Sequence, residues 1–166
     1  MNTTRKLVFM GLFIALEIVL TRVVSLMPST VTRISLSFIV YSFSGLLFGP
    51  VFTGFMALFG DLVGAILFPP PGGFMIGFTI SAMVTGVLFG FITKDTKRIL
   101  VVLVLNLIII EIFMNTYWLH ILANLPMTAL WVQRAPGILI NFILRLIVLI
   151  PLLKKVNLTE VYENRH

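Results

Sequence analysis

The chain has 166 residues, of which 59% are hydrophobic and only 11% charged, well below the roughly 25% charged residues of a water-soluble domain. With a mean hydropathy of +1.11 it reads as a membrane protein, and six crossings of about 20 residues leave about 46 for tails and links, too few for an added catalytic or ATPase domain. Twelve basic against six acidic residues give +6, the lack of cysteine excludes disulfides and sulfur-ligated metals, and two histidines suggest no metal site or cofactor.

The first apolar run, residues 6–27, follows a basic Arg5 and Lys6, is interrupted by Glu17 and Arg22 and stops at Pro28. It has no small-residue cleavage pattern leading into a polar domain, so it is expected to be a spanning helix and not a removable signal. A polar link through Thr32 and Arg33 leads to the second run, residues 34–49, the shortest, which Gly49 and Pro50 close as a turn. The third, residues 51–68, ends at Pro69, Pro70 and Pro71, which cannot continue a helix. The fourth, residues 74–93, carries Gly77, Ser81, Ala82, Gly86 and Gly90 and ends in KDTKR, residues 94–98. Its small residues let helix backbones approach closely, so the third and fourth helices are expected to be the tightest pair. The fifth covers residues 99–124, with Glu111, Asn115, Trp118 and His120 in its second half, and the sixth residues 132–153, before Lys154, Lys155 and a hydrophilic tail.

The expected fold is therefore all-α, one domain over residues 1–166, a compact bundle of six transmembrane helices. Arg5, Lys6, Lys94, Lys97, Arg98, Lys154, Lys155 and Arg165 fall on the side of the two termini, and only Arg33 and Arg134 near links on the other, so the positive-inside tendency predicts N-in and C-in. Basic residues placed as inner-side anchors imply no nucleic acid. No HExxH, Walker A or GxSxG pattern is present, and the serines lack a histidine and acid set, so no catalytic residue is assigned.

Glu17, Asp61, Glu111 and Arg145 lie near mid-membrane: at about 1.5 Å per residue Glu17 is about 17 Å from Lys6 and Arg145 about 14 Å from Lys154. An ionised group there costs roughly 2.5 to 3.5 kcal/mol, so these side chains should face protein or water and be paired or, for the acids, be protonated, Asp61 with Arg145 being one such pair. On the sixth helix Arg134, Ile138, Asn141 and Arg145 form one stripe, and on the fifth Glu111, Asn115 and Trp118 share a face, enough to enclose a wet cavity. Trp118, Tyr117 and Trp131 also fit an interfacial aromatic belt. With Arg22 and Arg134 outward and the acids deeper, a planar, donor-rich solute with an acidic tail would satisfy both ends. Gly11 and Ala15 form a small-x-x-x-small strip suited to docking another helix or to packing within the chain.

Together TRVVSL, RISLSFI, GLLFGPVFTGFMALFGDLVGAILFP, GGFMIGFTISAMVTGVLFGF and RAPGILINFILR resemble the folate-family substrate-binding (S) component of energy-coupling factor (ECF) transporters, across about residues 8–155. The most specific part is the ordered set from Arg33 to Phe91, with FGP, the Gly-x5-Gly-Asp ending at Asp61, and GFTIS. The resemblance implies a high-affinity membrane receptor for folate or reduced folates in a bacterial plasma membrane. It implies partners too, a transmembrane coupling subunit and two cytoplasmic ATPase subunits that hydrolyse the ATP, and toppling of the loaded receptor to carry the vitamin inward. The family's Ala-x-x-x-Ala docking pattern maps onto Gly11 and Ala15, with glycine at the first place. The links at residues 27–33 and 69–73 are expected gates. Physical reading and resemblance meet at Arg22, Arg33, Asp61, Thr79, Asn115, Trp118, Arg134 and Asn141 as substrate-binding residues; Asp61 either recognises pterin donors or fixes an arginine. The alternatives are another water-soluble vitamin or a queuosine precursor on the same architecture, and a membrane scaffold that transports nothing.

Overall fold

The computed structural model describes residues 3–29, 32–70 and 72–155. Pro71, Arg165 and the hydrophilic tail lie outside the described residues. Helix α1, Thr3–Ile18, runs on as a π-helical turn, Val19–Val23. Strands β1, Leu26–Ser29, and β2, Thr32–Ile34, pair antiparallel with Leu26 opposite Ile34. Then come α2, Ser37–Phe48, α3, Pro50–Leu67, and α4, Ile76–Phe89. Helix α5, Thr96–Ala123, is π-helical over its middle, Asn106–Met114, and α6 is Met127–Lys155.

Six helical bodies follow the six apolar runs, with an expected polar link replaced by the β1–β2 hairpin. The first helix therefore ends at Val23 and not at residue 27, because the chain turns extended at Leu26. Helix α4 stops at Phe89, short of residue 93, and α6 begins at Met127, directly after Pro126, earlier than residue 132. Among the described residues three helices, α3, α5 and α6, are long and apolar enough to cross a membrane by length and composition. At 12 residues α2 spans only about 18 Å, so it is the shortest, and its buried face includes Phe38, Val40, Tyr41 and Leu46.

The outward faces are apolar: Val51, Phe55, Phe59 and Ile66 on α3, Val101 and Ile108 on α5, and Val132, Leu139, Ile143 and Ile147 on α6 are exposed. Helices apolar on their outer as well as their inner faces belong in lipid. Helices α3 and α4 do form the tight pair: a Cβ on Gly86 would meet the Thr53 carbonyl oxygen at 2.4 Å, and one on Gly90 would meet Pro50 Cα at 2.1 Å. Gly49 at φ 83° makes the α2–α3 turn that puts Pro50 there. Buried Met56, Phe89, Ile92, Ile99, Leu103, Leu149 and Leu153 fill the end of the bundle that carries the 94–98 link. That end is a solid apolar plug. The polar residues collect toward the other end, beneath the hairpin.

Candidate functional site

A cavity of about 270 Å³ opens at the hairpin end. Four arginines, Arg22, Arg33, Arg134 and Arg145, and three acids, Glu17, Asp61 and Glu111, line it together with Tyr41, Phe74, Phe78, Ser81, Asn115 and Asn141. Each helix contributes because each carries polar residues on the face it turns inward, where an unpaired charge would otherwise be costly.

Between α1 and α3, Arg22 Nη2 donates to Asp61 Oδ1 at 2.9 Å, with the side chains only 6% and 14% exposed. The Thr79 hydroxyl donates to the other oxygen, Oδ2, at 2.8 Å. Asp61 thus fixes an arginine, but the arginine is Arg22 and not Arg145. The reason is the small face of α3: Gly64 leaves Arg22 room, since a Cβ there would lie 3.2 Å from its Nε.

Between α5 and α6, one carboxylate holds two guanidiniums. Arg145 Nη2 donates to Glu111 Oε1 at 3.0 Å and Arg134 Nη2 to Oε2 at 3.4 Å. Arg134 also donates to the Glu111 carbonyl at 2.8 Å and to the Thr116 hydroxyl, and Arg145 to Asn106 Oδ1. The π-helical stretch makes this possible. In an α-helix residues five apart are turned about 140° from each other, whereas i to i+5 bonding brings Asn106 and Glu111 to one side, where Arg145 reaches both.

Between α1 and α2, Glu17 Oε1 accepts from Tyr41 Oη and from Thr21 Oγ1, each at 3.0 Å. At the mouth, Asn141 Nδ2 donates to the Arg33 carbonyl at 2.8 Å and Ser35 Oγ to that of Leu20 at 3.1 Å, tying the hairpin to α6 and α1. The Arg33 guanidinium has no acid partner within salt-bridge distance among the described residues, in contrast to Arg22, Arg134 and Arg145. Burial, and after it the Arg22 guanidinium, pull its pKa below the ordinary value, while Asp61 and Glu17 oppose this. A ligand anion beside Arg33 would relieve that penalty.

Of the expected substrate residues, Arg22, Arg33, Asp61, Asn115, Arg134 and Asn141 line the cavity. Thr79 stands behind Asp61. Trp118 is not on the wall either: its ring covers Gly77, where a Cβ would come within 2.3 Å of it, and its Nε1 donates to Ser81 Oγ at 3.1 Å. Glu17, Glu111 and Arg145, read from sequence as buried charges, prove to be wall residues, and Tyr41, Phe74, Phe78 and Ser81 join them. A lone Tyr41 inside an apolar run was the one signal available for that group. Gly11 and Ala15 are both exposed, and nothing lies within 4 Å of where a Gly11 Cβ would stand, so this strip packs against no other helix of the chain among the described residues.

Residues 1–158 match the family described as ECF-type riboflavin transporter, S component. The folate transporter FolT of Clostridium novyi (strain NT) is 33% identical over 165 residues, 97% of this chain and 95% of that protein. The folate transporter FolT of Leuconostoc mesenteroides is 30% identical over 121 residues, 70% of this chain and 64% of that protein. A crystal structure of FolT bound with folic acid superposes with a TM-score of 0.85 at 28% identity, covering 94% of this chain and 96% of that one.

Proposed function

The chain belongs to the S components of ECF-type transporters, and from that premise we propose that it is the folate receptor of such an importer. The observation that carries the choice of ligand is Arg33, a mouth guanidinium without an acid among the described residues. Four arginines against three acids leave the wall one positive charge in excess, suited to a ligand that brings carboxylates. Folates carry a glutamate tail on a flat pteridine, and Phe74 and Phe78 offer apolar surface for the ring. A flavin is the second reading, favoured by the description of the matching family, but its ribityl chain gives Arg33 no carboxylate. Equilibrium binding on the purified chain, with folic acid, 5-formyltetrahydrofolate, riboflavin, thiamine and biotin, decides. Folates alone should bind tightly; a preference for riboflavin would replace this reading.

The mouth faces outward and both termini inward, as the basic residues at the plugged end favour. Single cysteines placed in the 94–98 link should then be labelled from the cytoplasmic side only, and labelling from outside reverses the orientation.

ATP is hydrolysed in partner subunits of the complex, and this chain joins a transmembrane coupling subunit through the exposed Gly11 and Ala15 strip of α1 in a bacterial plasma membrane. Replacing Ala15 by Trp should abolish co-purification with the coupling subunit and leave folic acid affinity of the isolated chain unchanged. Assembly that survives the substitution removes the docking role.

A further inference from the structure

Most polar side chains of the cavity wall are engaged within the chain. Asp61 is held by Arg22 and Thr79, Glu111 by Arg134 and Arg145, Glu17 by Tyr41 and Thr21, and the Asn141 amide donates to the Arg33 carbonyl. Asn115 differs. It lines the cavity half-buried, and its side-chain amide makes no hydrogen bond among the described residues. The π-helical winding sets its place on the wall: the Asn115 N–H closes that stretch by bonding the Ile110 carbonyl in the i to i+5 pattern, so the two residues share a side of α5, and both line the cavity. Asn115 opens the last nine residues of α5, Asn115–Ala123, which at about 1.5 Å each set it about 12 Å below the helix end, inside the bundle. The same turn is docked on α4 through the bond from Trp118 to Ser81. The wall also includes the apolar Phe78, Ala82 and Ile138, and in such surroundings an amide donor and acceptor are costly until a partner meets them.

We propose that Asn115 is the residue that reads the ligand's ring, its Oδ1 accepting the ring N–H and its Nδ2 donating to the adjacent carbonyl of a 2-amino-4-oxopteridine. This rests on the folate reading above and takes the role from Asp61, whose oxygens are both occupied. A ring N–H beside a carbonyl is a lactam, the complement of a carboxamide, whereas the ligand's carboxylates carry acceptors only and suit the Arg33 guanidinium. A carboxamide turned over about its last torsion presents the same two groups in the opposite order. It then accepts from a 4-amino group and donates to the neighbouring ring nitrogen, so the site takes 4-aminopteridines as well as the 4-oxo ring. The choice against a flavin is not made here, since a flavin edge also contains a lactam; that choice falls to the carboxylates at Arg33. With the ring at Asn115, the acidic tail extends to Arg33 on the hairpin.

The test is isothermal titration of the purified full chain with folic acid, with 3-methylfolic acid, whose ring N–H is replaced by N–CH3, and with aminopterin, whose 4-oxo group is replaced by an amino group. The unaltered chain should prefer folic acid to 3-methylfolic acid by about 30-fold, the size of two lost neutral hydrogen bonds, and should bind aminopterin within about tenfold of folic acid. Asn115→Ala should weaken folic acid and aminopterin alike by about 30-fold and 3-methylfolic acid by no more than about threefold, which erases the preference. Equal weakening of all three ligands, or an intact preference for folic acid, overturns the proposal, since a merely structural Asn115 would not distinguish the methylated ring. Aminopterin bound by the unaltered chain more than about tenfold below folic acid also overturns it, because a carboxamide free to turn imposes no fixed order of donor and acceptor. Should Asn115→Ala fail to fold, Asn115→Ser, whose hydroxyl stops short of the ring, should narrow the preference likewise, and an intact preference there overturns the proposal. An unaltered chain that binds riboflavin and not folic acid overturns the folate reading itself, and this inference with it, a result separable from failure at Asn115 alone.

Discussion

Replacing Glu111 by Gln is expected to lower the unfolding free energy by about 3 to 5 kcal/mol and to abolish folate binding, because one substitution removes a carboxylate that two buried guanidiniums share. Arg134 is 6% and Arg145 15% exposed, and Glu111 is the carboxylate that neutralises both. Thermal unfolding in detergent checks the first part and equilibrium titration the second. Adding Arg145→Met to Glu111→Gln should recover part of the lost stability, since it removes one of those two guanidiniums, which a simple packing defect would not do. A Glu111→Gln chain that melts with the unaltered one would show that the network contributes little.

Replacing Arg33 by Gln is expected to act in the opposite way, on affinity and hardly on stability. Its guanidinium joins no ion pair among the described residues, and the bond by which Arg33 helps tie the hairpin down runs from Asn141 to its main-chain carbonyl, which the substitution keeps. Folic acid affinity should fall by about 10- to 100-fold, with the melting temperature of the empty chain within about 1 °C of the unaltered chain's. Arg33→Lys should restore only part of the loss, because an ammonium keeps the charge but not the two-pronged fit to a carboxylate. The loss should shrink at high salt, where the attraction of the mouth for an anion is screened. Unchanged affinity in Arg33→Gln would remove the observation on which the choice of an acidic ligand rests.

The legible part of this molecule was its apolar and charged pattern. Runs of lipid-compatible residues located six helices, the small residues of the third and fourth foretold their close contact at Gly86 and Gly90, and Glu17, Asp61, Glu111 and Arg145 stood out because lipid does not tolerate them. What could not be read was who pairs with whom. Asp61 meets Arg22 because α1 lies on the glycine face of α3, a matter of tertiary packing. One face for Glu111, Asn115 and Trp118 on α5 presupposes α-helical spacing, yet the helix is π-helical from Asn106 through Met114. That extra winding brings Asn106 and Glu111 to Arg145, while Trp118 is drawn onto Gly77 and away from the wall. The hairpin of β1 and β2 is equally hidden, since two strands of four and three residues with an irregular register carry too little alternation to announce a sheet.

The account depends on a flat vitamin lying ring-inward and tail-outward in the cavity beneath the hairpin. The most direct measurement is a structure of this chain determined with folic acid bound. The account predicts a glutamate carboxylate within salt-bridge distance of Arg33 and the pteridine deeper in the cavity, among the side chains of its wall. Folic acid found with its tail directed into the bundle, or seated outside this cavity, would contradict it.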